Sequence, residues 1–328
     1  MTAWNNILLT GAGFSRNWGG WLASEAFEYL IGCRGLNAVA LQMLWHHKDR
    51  GGFEAALAAL QGDARTSKAA TSLEAAISGM FHDMNTAFAD TDLTFSGGEV
   101  DALETFLTRF NAIFTLNQDT LLERHYLNDN VCLLSNRRWD GWTLPGLTPV
   151  ADPMGSPLTP ATVKDWTPAV PPFKVDARCQ PYFKLHGSSN WLAAGAGGGT
   201  RQLLVLGGNK SKSITDAPLL KWYHEQFAEM LAKPSTRLLI IGYGFGDDHI
   251  NATLKTSAEG GARMFVVDPN GVDVMDSNRH IRAQGGIYAP GDLAKALWPA
   301  VDGASRRTLR EIFGSDAAER QKLMRFFS

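Results

Sequence analysis

The sequence predicts an α/β protein: a Rossmann-like, doubly wound parallel sheet with an inserted helical subdomain. Short apolar runs such as "RLLIIG" (237–242) and "RMFVVD" (263–268) show little polar alternation, as expected of strands buried on both faces of a parallel sheet. Between such runs lie stretches of helical period, including "DAPLLKWYHEQFAEMLAK" (216–233) and "DDHINATLKTSAE" (247–259). Strands alternating with helices mark doubly wound domains.

In chain order, "NILLT" (6–10) is the first strand and runs into a glycine turn, "GAGFS". Residues 20–110 lack convincing strands, and "FEAALAALQ" (53–61) and "SLEAAISGMFHDMNTAF" (72–88) have helical periodicity. They predict a helical insertion between the first strand and the next, "AIFTL" (112–116). A strand is expected at "VCLLS" (131–135), followed by an irregular insertion over 136–180 that carries Trp139, Trp142, Trp166 and eight prolines. "YFKLH" (182–186) and "QLLVL" (202–206) read as further strands around a flexible loop, "AAGAGGGT" (193–200). Residues 304–328 space basic and apolar side chains as an amphipathic surface helix does; a nucleic-acid arm is the competing reading. The whole chain, 1–328, is read as one catalytic domain.

Composition narrows the function. With 328 residues, 45% hydrophobic and 20% charged, the chain has length for a substantial core. A formal net charge of −2 gives no general attraction to nucleic acid or anionic membrane. Cys33, Cys132 and Cys179 stand far apart, with no CxxC pair, so neither a zinc ribbon nor a disulfide framework is expected. The N-terminus lacks the basic and apolar segments of a secretory leader, and no run approaches a membrane span. A cytoplasmic protein is the expectation.

Several strand ends carry chemistry. In "NILLTGAGFSRNWG", Gly11 and Gly13 would let backbone approach a diphosphate, and Arg16 stands where a third glycine of a dinucleotide fingerprint would be. A tight turn without ligand is the plainer alternative. In "FTLNQDTLLERHY", Asn117 and Asp119 follow a strand. Asp119 either caps the next helix or, with Asn117, faces a ligand. "PYFKLHGSSNW" puts His186 at another strand end, where open α/β sheets bind ligands and an imidazole can accept a proton near neutral pH. "GYGFGDDHIN" brings Gly242, Gly244 and Gly246, with Asp247 and Asp248 read as helix caps. The "YHEQF" stretch around His224 lacks the second histidine of a zincin, and no GK dipeptide forms a P-loop, so metal and ATP chemistry find no support.

Taken in order, GAG-x-S, N-x-D, LHG, the glycine turn after "LLIIG" and "VDPN" resemble the sirtuin family. The resemblance covers 6–19, 111–125, 181–191, 237–251 and 263–294. It implies NAD+ as substrate. Gly11, Ala12, Gly13, Phe14, Ser15 and Arg16 then form the diphosphate turn, with Asn117 and Asp119 at the nicotinamide end and His186 as the base at the ribose. Gly242, Tyr243 and Gly244 would border the adenosine, Asp268 or Asn270 its ribose, and Asp292, within 291–293, the adenine. The missing four-cysteine zinc lobe and the form "GYGFGDDHIN" resemble the bacterial sirtuin-like proteins of antiphage defence, which hydrolyse NAD+.

That branch implies an NAD+ glycohydrolase without zinc. It would deplete NAD+ during phage infection and be held inactive at rest by oligomerisation or by a neighbouring gene's product, such as an ATPase, an Argonaute-like protein or a nucleotide-processing enzyme. An NAD-dependent protein deacylase and a non-catalytic NAD- or ADP-ribose-binding subunit are the rival readings.

Overall fold

A computed structural model describes residues 4–91, 93, 95, 103–127, 138–150, 165–194, 200–206, 210–283 and 288–328. The expected strand at 131–135, the centre of the 193–200 loop, residues 151–164 of the irregular insertion and Cys132 lie outside the described residues.

Seven parallel strands form the main sheet in the order β11-β10-β9-β1-β2-β6-β3. They are β1 (Asn5–Thr10), β2 (Ala112–Thr115), β3 (Gly141–Thr143), β6 (Cys179–Lys184), β9 (Thr236–Ile241), β10 (Arg263–Val267) and β11 (Val301–Ser305). The central strands are the continuous apolar runs of the sequence, and every residue of β2 and β9 is buried. Leu9 of β1 pairs with Phe114 on one side and Ile240 on the other. Phe114 stacks on Phe183 of β6, with ring centroids 4.8 Å apart, and meets Phe227 at 4.9 Å. Each such fully buried ring contributes about 1.5–3 kcal/mol.

β1 sits in the middle because the chain first builds outward through β2 and β6, then returns to build β9, β10 and β11 on the other side. The connections leaving β1 and β9 therefore diverge, opening a crevice beyond their carboxyl ends.

The helical insertion connects β1 to β2. It follows the short α1 (Ala12–Ser15) and comprises α2 (Ala23–Ile31), α3 (Ala38–His47), α4 (Gly52–Gln61), α5 (Ser67–Phe88) and α6 (Leu103–Leu107). Leu73, Ile77, Met80, Met84 and Phe88 are buried along α5, a three-to-four-residue spacing that gives one apolar stripe. Asn37 caps α3 by accepting the Val39 amide at 2.8 Å. The short α7 (Leu121–His125) follows β2. α8 (Lys210–Thr215) and α9 (Pro218–Leu231) precede β9, and α10 (Asp248–Glu259) follows it. Beyond β10 come α11 (Arg279–Ala283) and α12 (Asp292–Leu297).

A second, four-stranded sheet has the order β4-β5-β7-β8. It consists of β4 (Leu147–Pro149), β5 (Trp166–Pro168), β7 (Gly187–Ala194) and β8 (Thr200–Leu204). The run at 202–206 thus belongs to this small sheet. Its pairing with β7 explains why its apolar side chains looked like those of a core strand.

The C-terminal segment departs from a single helix over 304–328. Ser305 ends β11, which pairs in parallel with β10, and a π-helical turn at Glu311–Ser315 precedes α13 (Ala317–Arg325). Asp316 starts α13 by accepting the Glu319 amide at 3.0 Å, so the cap sits in the middle of the expected helix. No helix among the described residues is long and apolar enough to cross a membrane.

Candidate active site at the sheet crossover

The crevice at the ends of β1 and β9 is a cavity of about 1000 Å³. Its floor is made of two glycine turns packed on each other. The Gly11 amide donates to Ile241 O and the Gly13 amide to Gly242 O, each at 3.0 Å. A Cβ on Gly13 would lie 2.7 Å from Gly242 Cα, and one on Gly242, where φ is +62°, 2.4 Å from Gly13 Cα. Glycine is required here for backbone to meet backbone, before any ligand is considered. Gly11, Ala12 and Gly13 line the cavity from one turn, and Gly242, Tyr243 and Gly244 line it from the other. The Tyr243 ring is itself buried, with its hydroxyl donating to Asn251 Oδ1 at 3.1 Å and tying the turn to α10.

Asn117 and Asp119 reach this cavity from the end of β2 and meet Ser15 there. Asn117 Nδ2 donates to Ser15 Oγ at 2.9 Å, and Ser15 Oγ donates to Asp119 Oδ2 at 2.8 Å. The other Asp119 oxygen, Oδ1, accepts the Leu121 amide at 3.0 Å. Asp119 therefore does both things its sequence position allowed: one oxygen caps the turn into α7, and the other fixes a side chain on the cavity wall. The backbone is held from below by Thr115 Oγ1, which accepts the Asn117 amide at 3.0 Å and the Thr10 hydroxyl at 2.8 Å.

His186 occupies the turn between β6 and β7 and is 3% exposed. The next residue, Gly187, has φ of +73°, and a Cβ there would come within 2.0 Å of Leu203 O, so no other residue fits after this histidine. Burial pushes the imidazole down to about 3, which makes His186 a neutral ring at physiological pH. Its Nε2 lies 3.1 Å from Nε2 of His249 in the first turn of α10. Behind them, His224 Nε2 donates to Leu185 O at 2.9 Å, and burial pushes this ring down to about 4.

The other expected residues separate into two groups. Arg16, Asp268 and Asn270 line the cavity. Arg16 is shared with Glu25 at 2.7 Å, and Asp268 Oδ1 accepts the Asn270 amide at 2.8 Å in a turn at the end of β10. Phe14 and Asp292 are not brought to the wall. Phe14 is core, packed on Trp18 with centroids 5.2 Å apart. The Asp292 side chain is 94% exposed in the first turn of α12, 3.3 Å from Lys295.

Five features were missed by sequence reasoning. His249 was visible within "GDDHIN" but carried no signal beyond its place near a strand end. Asp247 was read as a cap, yet it lines the cavity and accepts from Lys210 Nζ at 2.6 Å. The same ammonium lies 2.7 Å from Glu54 of α4. Burial pulls Lys210 down, but Glu54 and Asp247 more than offset it and leave it raised. The helical insertion supplies a wall of the cavity, through Trp21, Phe53, Glu54, Met80 and Met84 among others, and Arg307 to Arg310 of the C-terminal segment supply another part.

Among solved structures, the chain is similar to a Sir2 homologue in complex with NAD, with 13% identity, a TM-score of 0.44, and 98% of this chain and 90% of that one covered. A Sir2 homologue complexed with 2′-O-acetyl ADP ribose gives 13% identity, a TM-score of 0.43 and coverage of 98% and 92%. Sir2 bound to an acetylated peptide gives 10%, 0.38, and 98% and 94%. No curated protein matches the chain. The family model described as the SIR2-like domain matches residues 111–285, just over half of the chain, from β2 through β6 and β9 to beyond β10. The chain belongs to the SIR2-like family.

Proposed function

We propose that the protein is an NAD+ hydrolase that splits the nicotinamide–ribose bond to give nicotinamide and ADP-ribose. One observation carries this reading: the hydrogen-bonded group Asn117–Ser15–Asp119 and the neutral imidazole of His186 line one cavity at the sheet crossover. A volume of about 1000 Å³ is at the large end of small-molecule pockets and suits a dinucleotide.

The reaction places modest demands on the protein. As the C1′–N bond breaks, its electron pair goes to nicotinamide, which leaves neutral, and positive charge spreads over the ribose. Water adds to C1′ and gives up one proton. Asn117 can orient that water without adding charge. Asp119, held through Ser15, puts an acceptor at the same end. His186, unprotonated at neutral pH, takes the proton; a positioned base of this kind contributes typically 10²–10⁴-fold. Arg16 and the Gly11–Gly13 turn, which line the same cavity, would meet the diphosphate.

The cellular reading extends this chemistry. The enzyme would act in the cytoplasm as an antiphage effector that depletes NAD+, restrained by a partner protein or by self-assembly. The "GYGFGDDHIN" turn supports it, because that form resembles the defence branch. Incubating purified protein with NAD+, alone and with the product of its neighbouring gene, tests the proposal. Nicotinamide and ADP-ribose should appear together, and both Asn117→Ala and His186→Ala should abolish them. Consumption of NAD+ only with an acetyl-lysine peptide would turn the reading to a deacylase. Tight NAD+ binding with no turnover under any partner condition would make the protein a sensor.

A further inference from the structure

A buried imidazole that cannot hold a positive charge makes a poor base by itself. Taking a proton would leave His186 charged at 3% exposure, the form that burial opposes. The way out is to release a proton from the second ring nitrogen while accepting one at the first. His186 has a partner for that release, since its Nε2 is 3.1 Å from Nε2 of His249.

Ring geometry identifies the contact. Two imidazoles sharing a proton nose to nose at this distance would have centroids about 5.4 Å apart. If both nitrogens instead bound one zinc ion at about 2.0–2.1 Å, the rings would fold together to about 4.8 Å. The observed separation is 5.3 Å, the nose-to-nose value, although His186, His249 and Asp247 each bring one possible metal-ligating atom within 4.8 Å of the others. The two rings make an N–H···N hydrogen bond. One Nε2 is protonated and the other bare.

We propose that His249 is a positioning residue that fixes His186 as the Nε2–H tautomer and receives that proton as His186 accepts one at Nδ1. This deepens the NAD+ hydrolase reading and rests on it. The balance is simple: substrate water loses a proton to His186 Nδ1, His186 Nε2 passes its own to His249 Nε2, and His186 ends neutral. The charge appears on His249, which is only half-buried and does not line the cavity. The groups facing the pair favour that location. Burial holds both imidazoles below their ordinary range, His186 further than His249; Asp247 favours an imidazolium on either ring and Lys210 of α8 opposes it, but only His249 has Asp248 as a second favouring acid. Lys210 is itself partly neutralised by Glu54 of α4. His224 of α9, with centroids 5.3 Å from His249, adds a neutral ring. From His249 the proton reaches solvent without re-entering the substrate cavity.

Two readouts test this. In protein labelled with 15N-histidine, His186 should be protonated at Nε2 and bare at Nδ1, His249 bare at Nε2, and a scalar coupling should cross the bond and vanish in His249→Ala. In turnover, His249→Ala should lower nicotinamide release about 10²-fold with NAD+ affinity unchanged. His249→Gln accepts the hydrogen bond but carries no proton, so it should restore the His186 tautomer and remain as slow as the alanine variant. Undiminished turnover in His249→Ala, an Nδ1–H tautomer at His186, or stoichiometric Zn2+ capture by the two nitrogens would each overturn the proposal. Absence of NAD+ turnover in every form of the protein would instead sink the hydrolase reading, and the 15N spectra would still decide whether the pair exists.

Discussion

Lys184, wholly buried on β6, holds Glu123 and the backbone of Asp119 at once. Its Nζ is 2.5 Å from Glu123 Oε1 and also donates to the Asp119 carbonyl oxygen. Glu123 is 1% exposed and accepts from the Tyr182 hydroxyl at 3.4 Å. Burial raises the Glu123 carboxyl, and Lys184 works against that rise. Removing the cation leaves an uncompensated buried acid, which typically costs about 3–5 kcal/mol. Lys184→Met should therefore lower urea stability by an amount of that order. Lys184→Met with Glu123→Leu should recover most of it, because two apolar groups replace the pair. The double variant should still release nicotinamide slowly, since Asp119 has lost the donor that fixes its backbone.

Ser15 should matter more than its size suggests. Its hydroxyl links the Asn117 amide to the Asp119 carboxylate, accepting from one and donating to the other. Ser15→Ala leaves both buried groups short of a partner, a loss of about 1–3 kcal/mol. Misplacing a reacting group by an ångström can cost on the order of 10² in rate, so nicotinamide release should fall by that order. Steady-state kinetics should show the loss in kcat, with KM nearly constant.

Stability should depend on pH through two buried histidines. Unfolded, each imidazole takes up its proton near pH 6.5; folded, burial holds His186 to about 3 and His224 to about 4. Between those limits the unfolded chain binds more protons than the folded one, so stability is full above pH 6.5 and falls as pH drops below it. The loss levels off near pH 4 for His224 and near pH 3 for His186. Each group contributes a slope of about 1.4 kcal/mol per pH unit in its window. His224→Gln, which keeps a donor for Leu185 O, should flatten the acid limb by one proton in urea titrations across that range. An unchanged slope would mean that the ring is protonated in the folded protein.

The fold was legible because burial on both faces leaves a strong mark: the runs at 6–10, 112–116, 237–242 and 263–268 became the four central strands. β11 left no such mark, since "VDGAS" is an edge strand held by backbone pairing to β10, with only Ser305 fully buried. Asn117, Asp119 and His186 were legible because each follows a strand whose end could be located. Lys210 and Glu54 were not. Their ion pair joins α4 to α8 across 156 positions of sequence, and nothing local to either residue encodes the other. The same holds for Ser15 and Asp119, each ordinary by itself and chemically distinctive only together.

The glycines give the sharpest separation of fold from site. At Gly13 and Gly242 a methyl would run into the opposite turn, and Gly242 adds a left-handed φ of +62°. Overpacking costs about 1–3 kcal/mol and left-handed backbone about 1–2 more. Gly242→Ala should therefore unfold at clearly lower urea, and Gly13→Ala to a lesser degree, before any ligand is added. Gly244 is different: it lines the cavity, a methyl there meets nothing within 4 Å, and its φ lies outside the left-handed region. Gly244→Ala should unfold within about 0.5 kcal/mol of wild type and show its effect only in the KM for NAD+. If Gly13→Ala and Gly242→Ala instead kept full stability and lost only nucleotide affinity, these turns would owe their glycines to the ligand and not to each other.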